Sequence, residues 1–291
     1  MSVYVKTFKL LLIIVITLGL FNYCNKQNEG NIEKAKELAI ASELVQMNVP
    51  NSENAQKSAA DLIIAESRLT GSQGEPVVMV HGNAGYPSNW DNTVNYFLQN
   101  GWTSDMIIRP NWGSKTCPAC NDHYGSELDT VKQALQQALS KSRTGMIDVM
   151  GHSMGATLAA KAILDLGIAN KVRTFVGIAG AFRGLNSCGV YPYNVPTTTC
   201  GRYGLSINSP LVNSLANKRF GKYQYAIYSW VDEIVCNCGA GYNVACCYVY
   251  GVHSSKPQIL DGETSYSTVP YGHFGVLYYT YTTQRTYCAR Q

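Results

Sequence analysis

The chain has 291 residues, 46% of them hydrophobic, which is enough for one large α/β domain with its own core. Neither a metal nor a partner is needed merely to fold it. Its formal charge of +4 is small for this length, and Lys and Arg are scattered rather than gathered into an aromatic-interleaved stripe, which argues against a nucleic-acid partner.

At the N-terminus, Lys6 and Lys9 precede an apolar run from Leu10 to Phe21 that is short for a comfortable bilayer span and has the form of an export signal. Cys24 closes the run, where a bacterial lipoprotein would carry its lipid, although Tyr23 stands where a small residue is usual. Residues 1–24 are therefore read as an export or lipoprotein-type signal. This implies a secreted or cell-envelope protein, with a lipid anchor, plain secretion and an uncleaved anchor all open. Residues 25–74 turn polar, and "NIEKAKELAIASELVQM" carries apolar residues at helical spacing, so a helical extension or linker is expected outside the core. Residues 75–291 form the remaining domain.

Ten cysteines in an exported chain point to disulfides. Cys117 groups with Cys120, Cys188 with Cys200, and Cys236, Cys238, Cys246 and Cys247 form a cluster. Four thiolates could hold zinc. An oxidising compartment favours a disulfide-pinned loop instead.

From Pro76 onward the pattern is that of βαβ units. Pro76 to Val80 is an apolar run suited to a strand buried on both faces, and it breaks into His81, Gly82, Asn83 and Gly85. Strands are predicted at Met146–Met150, Val172–Gly180 and Gln224–Trp230, a helix at Ala156–Leu166 and a closing helix at Phe274–Thr282. "PQIL", ending at Leu260, is a further plausible strand. Between the strand ending at Gly180 and the one beginning near Tyr225 lies a long segment rich in Tyr and Pro. A loop of that length suggests a lid or binding rim, and a Cys188–Cys200 disulfide would hold Tyr191 and Tyr193 there; a plain surface excursion is the alternative.

The most informative segment is Gly151-His152-Ser153-Met154-Gly155, set between a predicted strand and a predicted helix. A serine on a sharp strand-to-helix turn has crowded neighbours, which explains glycines two residues away on each side. The helix N-terminus then directs free N–H groups toward a developing anion.

With "VVMVHGNAGYPSNW", "IDVMGHSMG", "YSWVDEIV" and "YGHFG" in that order, the chain resembles the α/β-hydrolases, and within them the class 2 bacterial lipases, over roughly its last three-quarters. The resemblance implies a mostly parallel central sheet with helices on both faces, and residues 75–291 as the catalytic domain. It implies Ser153 as nucleophile, Asp232 as the acid and His273 as the base, with the backbone amides of Asn83 and Met154 as the oxyanion hole. Glu233 and Asp261 are rivals for the acid, and His253 for the base. His123 and His152 precede the acid and are not expected to be catalytic; His152 should pack beside Ser153 without taking its proton.

The implied activity is serine carboxylic-ester hydrolysis through an acyl-enzyme, that of a lipase acting on acylglycerol esters, with a lipid or ester substrate that a lipid–water interface could present. It requires no metal or organic cofactor, and a structural calcium in a surface carboxylate loop stays open. The alternatives are a short-chain esterase, an acyltransferase, or a surface binding protein on a hydrolase scaffold. Composition leaves the oligomeric state undetermined.

Overall fold

The computed structural model describes residues 75–235 and 260–289. The export segment, the polar extension, the Cys236–Cys247 cluster and His253 lie outside the described residues. Within them the chain alternates strands and helices. Val77–Val80 (β1) is followed by Asp91–Leu98 (α1) and the two-residue strand Ile107–Ile108 (β2). Gly125–Lys141 (α2), Ile147–His152 (β3), Met154–Leu166 (α3) and Val172–Ile178 (β4) come next. Leu185–Val190 (β5), Ser206–Ile207 (β6) and Pro210–Leu215 (α4) occupy the long segment. Tyr223–Ser229 (β7), Ser265–Val269 (β8), Gly275–Tyr278 (α5) and Tyr281–Ala289 (α6) complete it.

Six strands form one sheet in the order β2-β1-β3-β4-β7-β8, and every neighbouring pair is parallel. A parallel sheet needs cover on both faces, and side chains alternate accordingly. Val78, Val80, Ile147 and Val149 enter the core shared with Leu135 of α2 and Leu158 of α3. Val77, Met79 and Met150 enter a second core with Phe97 of α1 and Tyr287 of α6. From β1 the chain first goes to β2 on one side and then to β3 on the other. That reversal leaves a crevice beyond the carboxyl ends of β1 and β3, the place where open α/β sheets bind their ligands.

Several elements depart from the sequence expectation. The closing helix is two pieces, α5 and α6, separated at Tyr279 and Thr280, where the Thr280 hydroxyl donates to the Val276 carbonyl at 2.6 Å. A threonine back-bonded in this way competes with the helical ladder. Of the "PQIL" stretch only Leu260 is among the described residues, and the strand pairing with β7 is Ser265–Val269. The long segment is an ordered two-stranded parallel sheet, β5 with β6, closed by the Cys188–Cys200 disulfide. Cys117 and Cys120 also form a disulfide.

The strand that leads to Ser153 carries a buried charge. Asp148 on β3 is fully buried and grips Arg173 of β4 through two hydrogen bonds, one of them Arg173 Nε to Oδ1 at 3.0 Å. Burial pushes the Asp148 carboxyl up to about 6, against the opposing hydrogen bond and charge of Arg173. Removing Arg173 alone strands a buried carboxylate. Arg173→Met is expected to cost about 3–5 kcal/mol in urea unfolding at pH 8, and Asp148→Leu in the same chain should recover most of that loss. An Arg173→Met chain as stable as wild type would contradict this.

Candidate active site

The site is assembled from loops at the carboxyl ends of β1, β3, β7 and β8. Ser153 joins β3 to α3 with φ 56° and ψ −132°, a conformation that a non-glycine residue holds only at a cost of about 1–3 kcal/mol. Its flanking glycines are there for space. A Cβ on Gly151 would collide with the Ala156 backbone, and one on Gly155 with the carbonyls of Val80 and His81. The first turn of α3 thus lies directly on the end of β1. Gly82 closes the same contact from the other side, since a Cβ there would sit 3.1 Å from that of Ser153.

Asn83 follows Gly82 at the crevice. Its side chain is held at both ends, Nδ2 donating to the Pro118 carbonyl at 3.0 Å and Oδ1 accepting from Asn121 Nδ2 at 2.6 Å. Pro118 lies inside the Cys117–Cys120 disulfide loop. Met154 is the first residue of α3, so no carbonyl four residues earlier within the helix accepts its amide.

Asp232 and His273 meet across 41 residues of sequence. His273 Nδ1 lies 3.0 and 3.1 Å from the two Asp232 oxygens, and both side chains are buried. The Asp232 carboxylate also accepts the amides of Ile234 at 2.9 Å and Val235 at 2.7 Å. Burial alone would raise this carboxyl. The His273 hydrogen bond and charge, with the two amides, outweigh it and hold Asp232 below the usual carboxylate range. The loops that carry this pair are tied together upstream: Ser229 at the end of β7 donates its hydroxyl to the Tyr271 carbonyl, and Trp230 N donates to the Val269 carbonyl at 2.9 Å.

His152, the residue before Ser153, is buried with its ring 4.7 Å from that of His273, and its Nε2 donates to the His273 carbonyl at 2.9 Å. Burial, joined by the His273 charge, pushes its pKa down to about 3. His81 stacks on Trp112 and is lowered to about 4, chiefly by burial. Its Nδ1 donates to the Gly82 carbonyl at 2.8 Å, leaving Nε2 to accept from Lys115 Nζ at 3.2 Å. His123, lowered to about 3 mainly by burial, contacts the Thr157 hydroxyl at 2.8 Å on the far side of α3.

The structure therefore brings Asp232 and His273 into direct contact, and sets His273 against the neighbour of Ser153. Ser153 Oγ itself makes no hydrogen bond to His273 among the described residues, a link that is often long in an unliganded site. The model of the class 2 lipases matches residues 74–258. The chain belongs to the class 2 lipase family. The crystal structure of Bacillus licheniformis lipase BlEst2 in its mature form is similar at 13% identity and a TM-score of 0.52, over 74% of this chain and 91% of that one. Its propeptide form gives 12% identity and a TM-score of 0.51, over 75% of this chain and 51% of that one. At such identities the likeness concerns the fold, which is that of the α/β-hydrolases.

Of the two rivals for the acid in this class 2 lipase fold, Asp261 lies elsewhere and Glu233 meets the His273 main chain. Asp261 pairs with Arg183, accepts the Asn217 amide at 2.8 Å, and offers its carbonyl to Gln224 near the start of β7, the end of that strand away from Asp232. Glu233 accepts the His273 backbone amide at 2.8 Å and does not touch its ring nitrogen among the described contacts. Among the described residues no group of three or more His, Cys, Asp or Glu side chains is arranged to hold a metal ion. Sequence reasoning missed the parts played by Glu233, Ser229 and His152, whose partners are main-chain atoms 40, 42 and 121 residues away.

The buried imidazoles of His81, His123 and His152 make a pH prediction. Their folded pKa values lie below the ordinary 6.5, so the unfolded chain takes up protons first as pH falls. Stability should be full above about pH 6.5 and drop toward pH 4, by up to about 1.4 kcal/mol per pH unit for each histidine. Thermal unfolding midpoints that stay flat between pH 7 and pH 4 would contradict neutral burial of these rings.

Proposed function

We propose that this member of the lipase family is a serine ester hydrolase in which Ser153 attacks the ester carbonyl and forms an acyl-enzyme. The observation that carries the reading is the buried Asp232–His273 pair beside a serine held at positive φ on a strand-to-helix turn. His273 takes the Ser153 proton through Nε2, because Nδ1 is occupied by Asp232, and returns it to the leaving alcohol. Asp232 fixes the tautomer and stabilises the imidazolium. The amides of Asn83 and Met154 receive the oxyanion, and water releases the acyl group by the same route. The reaction is proposed to need no metal or organic cofactor.

The substrate we propose is an acylglycerol presented at a lipid surface. The loops that carry the site residues also expose large apolar side chains: Tyr86 beside the Asn83 loop, Trp230, Val231 and Ile234 around Asp232, and Phe274 after His273. Trp230 is 55% exposed and Phe274 53%, surface that would gain by leaving water for lipid. Tyr193 in the disulfide-closed segment is 92% exposed and fits the same role. Two disulfides among the described residues support work outside the cytoplasm, following export by the N-terminal segment.

Rates on nitrophenyl esters of increasing chain length, below and above the emulsion threshold, test the substrate. A preference for emulsified long chains is expected. A preference for short soluble esters with no rise at the interface would make the protein an esterase, and faster transfer to an added alcohol than to water an acyltransferase. Ser153→Ala should abolish turnover while leaving the unfolding midpoint unchanged or raised, since no other group can form the acyl-enzyme. His273→Ala should be nearly as severe, and the double variant no worse than either alone. A Ser153→Ala protein with wild-type turnover would refute the mechanism, and a wild-type chain that binds esters without turning them over would be a binding protein on this scaffold.

A further inference from the structure

His273 is held by more than its ring. Its backbone amide donates to Glu233 Oε2 at 2.8 Å, and its backbone carbonyl accepts from His152 Nε2 at 2.9 Å. Both partners adjoin residues of the proposed triad: Glu233 follows Asp232, and His152 precedes Ser153. The Asp232–Glu233 segment therefore holds the base twice over, at its ring and at its main chain, and His152 holds its carbonyl. Gly272 is what lets the carboxylate in. A Cβ at that position would stand 2.9 Å from Glu233 Oε2 and 3.4 Å from Oε1.

The ring needs this help. The loop carrying His273 leaves β8 at Val269, and the turn of helix that follows, α5, is only four residues long. Neither element fixes the peptide plane of His273 by regular hydrogen bonding. An imidazole bonded to a carboxylate at Nδ1 can still swing about that bond, and the swing moves Nε2 relative to the nucleophile. A misplacement of about 1 Å can cost up to about 100-fold in rate.

We propose that Glu233 is a positioning residue: by accepting the His273 amide it sets the height of the imidazole above Ser153, with His152 holding the other side of the same residue. Glu233 is thus a second carboxylate acting on the base, through its main chain. This inference deepens the triad reading given above and rests on it.

The test uses full-length chains carrying Glu233→Ala, Glu233→Gln, Gly272→Ala and Ser153→Ala, assayed on a soluble nitrophenyl ester. It also follows the downfield proton resonance of His273 Nδ1–H, which reports the Asp232 bond independently of turnover. Glu233→Ala is expected to lower kcat about 10- to 100-fold with KM within about twofold, to keep the unfolding midpoint, and to broaden or shift the resonance. Glu233→Gln keeps an oxygen that can accept the amide and should recover most of kcat and the wild-type resonance. Gly272→Ala, which crowds the carboxylate without removing it, should fall between Glu233→Ala and wild type.

Several results would overturn the proposal. These are an unchanged kcat or an unchanged resonance in Glu233→Ala, a loss confined to KM, a loss that follows the unfolded fraction, or a Gln variant as poor as Ala. Turnover surviving in Ser153→Ala would instead strike the nucleophile assignment, and the resonance alone would then decide the role of Glu233.

Discussion

The contact on which the site depends is that between the first turn of α3 and the end of β1. Gly155 lies against the carbonyls of Val80 and His81, Gly151 against the backbone of Ala156, and Gly82 against Ser153. No side chain fits between them. Where these backbones touch, Ser153 is held at positive φ. A helix one side chain further from the sheet would relax the serine. The strain at Ser153 is thus a result of packing, sustained by buried cores on both faces of the sheet.

Electrostatics on this frame divide sharply. Asp232 is the buried charge facing the crevice, kept ionised by four contacts, whereas the imidazoles of His81 and His152 are driven toward neutrality by burial. A neutral His152 can donate from Nε2 to a carbonyl without setting a second positive charge beside His273, and a neutral His81 can accept from Lys115. The surroundings of His273 therefore hold it by hydrogen bonds and by one carboxylate on its ring.

What could be read in advance follows from how local the cause is. The elbow was legible because its steric demand is met within five consecutive residues, Gly151 to Gly155, between an apolar run and a helical one. The buried strands were legible because Val77–Val80 is apolar on both faces and Val172–Ile178 is so apart from Arg173 and Thr174. The helix α2, absent from the predicted elements, carries a signal of the same kind, with Leu128, Val131, Leu135 and Ala138 at helical spacing. The edge strand Ser265–Val269 had little, being half exposed and rich in Ser, and the break at Thr280 depends on a hydroxyl turned back on its own helix. Glu233 stands out as a carboxylate near the right place, but the atom it serves is a backbone N–H in another loop. Composition and periodicity carry no trace of such a contact.

The two disulfides among the described residues are mechanically in series. The Thr199 hydroxyl, next to Cys200, lies 2.7 Å from the Pro118 carbonyl and 2.6 Å from that of Asn121, and Pro118 and Asn121 in turn grip the Asn83 side chain. The six strands of the main sheet contain no cystine. Material produced in a reducing cytosol would therefore keep the secondary structure of the sheet and lose the bracing of one crevice wall. Such a preparation would look folded by far-ultraviolet circular dichroism and still titrate with less than one active site per chain, so the choice of expression compartment sets the specific activity measured.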